Sequence, residues 1–411
     1  MGYTVGMEAN TMPWRITNVL DERVRFIALY LQHKLSMSDL CKGFKISRKT
    51  GYKFVRRYLA FGPQGLCDLP SVPHHQPHAV SEALSELIVA LRACWPTLGP
   101  KKLRATLGED FPGIDWPAAS TIGEILKRAG LVTPRKRPRH AQPSSPSTLT
   151  PPDAPHSVLA ADFKGQFPLR NGQPCFPLTV SDLYSRMILR CQALTRPSFE
   201  AVYPLFVAVF REHGLPNVIR TDNGPPFASC ALGRLSHLSL WWIKLGIRPE
   251  RISPGCPQQN GSHERMHRTL KQEAASPPAA NLAAQQRAFD RFVERYNYLR
   301  PHEALGQKTP ASLYTPSPRP YPLRLPPIEY PAAMKVRRVR HDGCIRWHGC
   351  MLFVSETLAG EPVGLDPLDD RLWALYFGPL ALAVLDDHTH SWLPARRAAY
   401  IIQNLRQEDT D

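Results

Sequence analysis

Residues 134–157 read PRKRPRHAQPSSPSTLTPPDAPHS, a run of Pro, Ser and basic side chains too poor in apolar groups to build a core. A chain interrupted in this way cannot fold as one layered domain. Before the run, apolar residues recur at helical spacing; after it, strand-like segments alternate with helical ones. A second Pro-rich run, Pro316 to Pro331, separates off a further set of short strands. The 42 prolines among 411 residues, about twice ordinary usage, fit such punctuation. The expected modules are a helix-turn-helix at 13–69, a second helical unit at 80–132, a linker at 133–157, an α/β core at 158–315, a linker at 316–331 and a small β-barrel at 332–395.

The net charge is +16, and Met12 to Ala141 carries 21 Lys and Arg against 10 Asp and Glu, a local balance of +11. About two thirds of the excess thus sits in one third of the chain, the footprint of a polyanion partner rather than of an evenly solvated surface. The nine cysteines include no C-x-x-C pair and are scattered over every module, which suits neither a zinc site nor a secreted disulfide framework. No apolar run has membrane-spanning length and the N-terminus lacks the pattern of a signal peptide, so a reduced, intracellular setting is expected.

In the first module Val24, Ile27, Ala28 and Leu31 have the spacing of one helix face. Ser36 and Asp39 form an S-x-x-D capping box for a second helix, and Ser47 is the N-cap of a third. On that third helix Gly51, Phe54, Val55 and Tyr58 share one face, while Arg48, Lys49, Tyr52, Lys53 and Arg56 share the other. One face packs and the other is basic with an aromatic, as a recognition helix in the major groove requires. An ordinary solvated helix would also carry charge, but turn, caps and polarity agree here. In the second unit Leu84, Leu87, Ile88 and Leu91 predict one helix, Pro100 opens the next, and a T-x-x-E box, Thr121 and Glu124, starts a third near Thr121. This unit reads equally as a second DNA-binding module or as a packing unit. The cluster Arg135, Lys136, Arg137 and Arg139 in the linker either tracks phosphates or is a solvated tether.

Strands are predicted at Val158 to Phe163, within Cys175 to Ala193, at Asn217 to Asp222 and at Ile247 to Ile252, with helices at Ser198 to His213 and Gly261 to Glu273. Asp162 interrupts an apolar strand in LAADFKG, and Asp222 ends another in IRTDNG. Carboxylates in or beside buried strands are costly unless paired, hydrogen-bonded or bound to a cation. Glu264 shares a helix with His267, Arg268 and Lys271 at i+3, i+4 and i+7, which predicts one common face. Taken singly, Asp222 before Asn-Gly is a common turn and Glu264 with Arg268 a common surface pair.

The segments LAADFKG, VIRTDNGPPF and SPGCPQQNGSHERMHRTLKQE together resemble the DDE-type insertion-sequence transposases of the retroviral-integrase-like superfamily. The similarity runs from about Val158 to Tyr314, including YNYLRPHEALGQKTPASLY with Asn297, Arg300, Pro301, His302 and Leu305. The resemblance implies a ribonuclease H-like fold for the core and a catalytic, metal-binding triad of Asp162, Asp222 and Glu264. Two Mg²⁺ (or Mn²⁺) ions are implied, with Asp162 shared between them; hard oxygen ligands suit such ions, and a two-metal site serves in-line displacement at a phosphodiester. Lys271 matches the basic residue two turns past the glutamate. Gln258, Asn260, His267 and Lys271 join Arg48, Lys49, Tyr52, Lys53 and Arg56 as expected nucleic-acid contacts. The implied partners are double-stranded DNA, both element ends and target, and further copies of the chain assembled on it, in a bacterial cytoplasm and nucleoid, with no membrane. The implied function is binding of an element's terminal repeats followed by DNA cleavage and strand transfer; the alternative is a non-catalytic, transposase-derived DNA-binding regulator.

Two features depart from the family pattern. Forty-one residues separate Asp222 from Glu264, more than is usual, and the surplus at Ala231 to Trp242 is expected to lengthen a surface helix or loop. The N-terminal zinc module of retroviral integrases is replaced by the helix-turn-helix. Beyond Pro331, KVRRVR, CIRWHGCMLFV, EPVGL and LWALYF predict the small β-barrel, in which Arg337, Arg338 and Arg340 either meet DNA or serve a structural role. The expected fold class is thus a multidomain chain with N-terminal all-α helix-turn-helix modules, a central α/β ribonuclease H-like core and a C-terminal β-barrel.

Overall fold

The structure, a computed structural model, describes residues 18–69, 79–132, 149–229, 232–253, 257–394, 397–398 and 400–401. The basic cluster at Arg135 to Arg139 lies outside the described residues. Two units form, Met1–Ala79 and Val80–Asp411.

In the first unit, helices α1 (Val19–Leu31), α2 (Met37–Gly43) and α3 (Arg48–Phe61) are capped by Asn18, Ser36 and Ser47, each side chain accepting a backbone N–H of the first turn. Phe26, Ile27, Leu40, Cys41, Phe54, Val55 and Leu66 make its core. The face expected of α1 is corrected: Val24 and Leu31 are half exposed, and Phe26 packs inward with Ile27. The larger ring decides the rotation, because Phe26 meets Phe44 edge to face at 5.4 Å. α3 approaches so closely that a Cβ on Gly51 would lie 2.6 Å from the Cys41 sulfur.

The second unit opens with α4 (Glu82–Cys94), α5 (Pro100–Asp110) and α6 (Ala119–Arg128) around Ile88, Leu103, Leu107, Trp116, Ile122 and Leu126. The Thr121–Glu124 box is not made: α6 starts two residues earlier, with Ala118 as an N-cap that offers no side-chain bond. This three-helix piece docks on the C-terminal part of the core. The Arg295 guanidinium lies 3.9 Å from the Trp95 ring centre, and Arg300 donates to Thr97 at 2.9 Å and to Glu273 at 2.7 Å.

The core sheet is built from β1 (Val158–Phe163), β2 (Phe167–Pro168), β3 (Pro174–Asp182), β4 (Ile188–Leu194), β5 (Val218–Thr221) and β6 (Arg248–Arg251), with α7 (Phe199–His213) after β4 and α8 (His237–Lys244) between β5 and β6. The order is β4-β3-β1-β5-β6, with β2 also on β3. β3 runs antiparallel to both β1 and β4, whereas β5 and β6 continue the sheet in parallel from β1. Helices α9 (Gly261–Ala274) and α10 (Leu282–Glu294) follow. Successive strand residues point to opposite faces. Leu159 and Ala161 therefore join Phe206, Ile219 and Trp242 in a core with α7 and α8, and Asp162 points to the other face, where α9 and α10 pack through Met266, Leu270, Phe289 and Phe292.

Residues 149–157, expected to belong to a free linker, are pinned: Thr150 donates through both its N–H and hydroxyl to Glu250 and accepts from Arg220. The second Pro-rich run is likewise a strap. Arg319 donates to the carbonyls of Pro216, Leu245 and Gly246.

The C-terminal strands are β7 (Lys335–Arg338), β8 (Cys344–Trp347), β9 (Cys350–Phe353), β10 (Pro362–Pro367), β11 (Leu372–Phe377), β12 (Leu380–Asp386) and β13 (Ser391–Trp392). The expected barrel is corrected. They form an open five-stranded sheet, β13-β12-β11-β10-β7, beside a two-stranded ribbon, β8-β9. Closure needs β13 and β7 to pair, but β13 is two residues long and, among the described residues, pairs with β12 alone. The apolar face is covered instead from outside: Leu235, Leu240 and Ile243 of the core share a cluster with Trp347, Leu365, Phe377 and Leu385. The 231–242 surplus is therefore no surface elaboration, since α8 is buried between two cores and Lys244 pairs with Glu361 at 2.7 Å.

Candidate active site

β1 and β5 lie side by side in parallel, with Ala161 opposite Thr221. Asp162 and Asp222 each come one residue later, so the two carboxylates leave neighbouring strands at one level. Asp222 is half-buried and its Oδ1 accepts the Gly224 N–H at 3.1 Å, the turn that Asp-Asn-Gly predicts. Asp162 is more enclosed, with 18% of its side chain exposed. Burial first, then the Asp222 carboxylate and more weakly Glu264, push the Asp162 carboxyl up to about 7.

The third arrives on α9, which a buried polar hub ties to the strand bearing Asp162. Thr179 stands opposite Asp162 on β3. Its hydroxyl lies 2.7 Å from Nε2 of both His263 and His267, and Ser181 meets His263 Nδ1 at 3.1 Å. His267 Nδ1 is 3.9 Å from Asp162 Oδ2. Burial pushes His263 down to about 3 and His267 to about 2, so both imidazoles are neutral. Asp162, His263 and His267 present ligand atoms all within 4.8 Å of one another.

The common face expected for Glu264, His267, Arg268 and Lys271 divides. Glu264, Arg268 and Lys271 are exposed, whereas His267, 5% exposed, turns inward with His263. His267, expected as a DNA contact, faces the protein interior in this structure, with Nε2 2.7 Å from the Thr179 hydroxyl. Asn260, also 5% exposed, is likewise enclosed, and the side chain of Gln258 lies outside the described residues. Sequence reasoning misses His263, Thr179 and Ser181; the His-x-x-x-His spacing on α9 is the available signal for the first. Asn297 brackets β4, accepting from the Ile188 N–H at 2.9 Å and donating to its carbonyl at 2.8 Å.

In the first unit Arg48, Lys49, Tyr52, Lys53 and Arg56 all lie on the exposed side of α3, and Gly51, Phe54 and Val55 are buried. No acidic side chain stands in the first turn of α3.

Comparison with known proteins adds a lineage. The integrase core domain family matches residues 152–257, and a second integrase core domain family matches 245–310. A helix-turn-helix domain family matches 22–73. The chain is 27% identical over 249 residues to the insertion element IS407 uncharacterized 31.7 kDa protein of Burkholderia multivorans, covering 59% of this chain and 84% of that protein. It is 27% identical over 238 residues to the insertion element IS476 uncharacterized 39.2 kDa protein of Xanthomonas euvesicatoria, covering 57% of this chain and 65% of that one. Among solved structures, the HTLV-2 integrase catalytic core domain in complex with magnesium is 16% identical over 40% of this chain and 99% of its own, with a TM-score of 0.31. The simian T-cell lymphotropic virus intasome in complex with a PP2A regulatory subunit is 19% identical over 72% of this chain and 97% of its own, with a TM-score of 0.35. The chain thus carries a helix-turn-helix domain and an integrase core domain, and it is similar to proteins of bacterial insertion elements.

Proposed function

We propose that the protein is a DNA transposase whose helix-turn-helix binds the terminal repeats of an insertion element and whose core cleaves and joins DNA strands with Asp162, Asp222 and Glu264. The observation that carries this reading is the parallel register of β1 and β5, which seats Asp162 beside Asp222 where burial and neighbouring carboxylates raise the Asp162 pKa. Mutual repulsion of this kind is relieved by a divalent cation, and an all-oxygen donor set suits Mg²⁺ or Mn²⁺ better than a softer metal. Asp162 and Asp222 would hold such ions from the sheet and Glu264 from α9, with two ions in the pair that phosphoryl transfer uses. When bound, they would neutralise the phosphodiester and lower the pKa of an attacking water.

The chain's own residues do the rest. The Thr179–His263–His267 hub fixes α9 against β3 and so holds Glu264 at the sheet. Lys271, exposed two turns along, is placed to meet a phosphate. The face of α3 from Arg48 to Arg56 reads the repeat. Water releases a 3′-hydroxyl at the element's end, and that hydroxyl then attacks a target phosphodiester. Because an element has two ends, copies of the chain act together on DNA. In sequence, residues 70–157, which include the second helical unit, separate the helix-turn-helix from the core.

Asp162→Asn, Asp222→Asn and Glu264→Gln should each abolish joining of end-bearing oligonucleotides to plasmid DNA while end binding persists. Near-normal joining by any of the three removes that residue from the site, and absence of joining by the unaltered chain with Mg²⁺ and Mn²⁺ removes the reading.

A further inference from the structure

A cavity of about 580 Å³ opens beside the acidic site, with Glu264 in its wall next to Arg186, Arg220, Arg265 and Arg268. Arg220 is already committed: it bonds Glu250 at 2.8 Å and the Thr150 carbonyl at 2.6 Å. Among the described residues the guanidinium groups of Arg186, Arg265 and Arg268 make no hydrogen bond or ion pair. Arg186 is half-buried; burial disfavours its charge first, and Arg265 adds to that cost, while Tyr296 and the Asp182 carboxylate partly offset it. Three uncommitted cations against one carboxylate make a wall that lacks an anion.

The backbone that presents Arg186 is constrained. The residue has φ 67° in the turn between β3 and β4, the left-handed region that non-glycine residues enter at a cost. Asp182 holds the turn in place by accepting from the Ser185 N–H at 2.9 Å, the Ser185 hydroxyl at 2.5 Å and the His156 N–H at 3.1 Å, and Met187 N–H donates to Ser185 Oγ at 3.3 Å. A turn that needed only to reverse the chain would be less strained with glycine at 186. Arginine there places a planar, two-pronged donor at the cavity wall, the shape that matches a phosphate.

We propose that Arg186, Arg265 and Arg268 form a binding pocket for a backbone phosphate of the DNA strand adjoining the bond that is cut. The proposal rests on the transposase reading, because it is the shared wall at Glu264 that puts the phosphate next to the reaction. A polyanionic strand fits better than a free anion: the cavity is open, its cations come from two separate elements, and successive phosphates can pass from the pocket to the acidic site. Arg186 selects no base and acts by fixing the strand.

The test uses the full chain and nicking of supercoiled plasmid with Mn²⁺, followed as a function of DNA and salt concentration, with Glu264→Gln as the inactive reference. Arg186→Gly should raise the half-saturating DNA concentration about tenfold and reduce the dependence of log affinity on log salt by about one. It should melt no lower than the parent, since glycine relieves the strained φ. Arg186→Lys should recover part of the loss, keeping the charge without the fork. Arg265 and Arg268 are exposed, so the Arg265→Ala/Arg268→Ala double variant probes the same pocket without touching the turn. Unchanged half-saturation in that double variant overturns the proposal whatever Arg186→Gly does. Inorganic phosphate competing at low millimolar concentration, with no change in the salt slope, shows a free-anion site and overturns the DNA assignment. If the variants nick like the parent while Glu264→Gln is dead, the pocket falls and the transposase reading stands. If the parent nicks nothing that Glu264→Gln spares, both fall.

Discussion

Asp162 occupies a position where an isolated charge is costly: mid-sheet, largely enclosed and close to two other acids. Without divalent metal that cost is borne by the folded state. Its folded pKa of about 7 lies above the ordinary 3.8, so the folded chain holds a proton that the unfolded chain has lost between those values. The group's contribution is fully present below pH 3.8 and is lost as pH rises through 7. In EDTA, then, Asp162→Asn should melt higher than the parent at about pH 8, and the difference should vanish by about pH 4. Adding Mg²⁺ should raise the melting temperature of the parent and leave that of Asp162→Asn nearly unmoved, because only the parent gains from binding. A parent that is equally stable in EDTA and Mg²⁺ would show that the acids do not take up the ion.

At the scale of elements, two helix glycines make opposite predictions. Propensity alone favours Gly→Ala in a helix by about 0.5–1 kcal/mol. In α5 nothing lies within 4 Å of the position a Gly108 Cβ would take, so Gly108→Ala should slow amide exchange across Pro100–Asp110 by that amount. In α3 a Gly51 Cβ would meet Cys41 Sγ at 2.6 Å and the Phe26 ring at 3.0 Å. Over-packing there should cost about 1–3 kcal/mol and outweigh the propensity gain. Gly51→Ala should thus speed exchange across Arg48–Phe61 and weaken DNA binding by the helix-turn-helix without altering the basic face. Protection that rises in both helices would mean that α3 stands further from α1 and α2 than the structure has it. The same element-level competition explains α8: its short, tryptophan-rich sequence suits a surface insertion only until its two faces are seen to serve different cores.

On the scale of the second unit, the flanking pieces are joined to the core by a few polar bolts as well as apolar contact. Arg300 and Glu273, whose side chains are 7% and 12% exposed, form such a bolt together with Thr97. Arg300→Met leaves Glu273 enclosed without its countercharge and should cost about 3–5 kcal/mol. The change should appear as faster amide exchange across Glu82–Arg128, with much of the protection restored in Arg300→Met/Glu273→Gln. Equal losses in the single and double variants would show that the Arg295–Trp95 stack and apolar contact hold the joint without the ion pair.

Local periodicity is enough for those elements whose cause lies within a few neighbouring residues. The apolar run places β1 at Val158 to Phe163, where it stands, the helix after Ser198 ends at His213, and α3 has its basic side outward, because strand and helix periods and caps act over short spans. The acids Asp162, Asp222 and Glu264 can be named from their motifs. Contacts between distant segments settle the rest, and no local pattern contains them. Phe44 draws Phe26 inward and turns α1; Thr179, 84 residues from His263, draws the α9 imidazoles away from solvent; Glu250 pins a segment whose composition suits a free tether; and α8 covers a sheet that consequently stays open where a barrel is expected. In each case burial energy between segments far apart in the chain outweighs a local pattern that is compatible with either outcome.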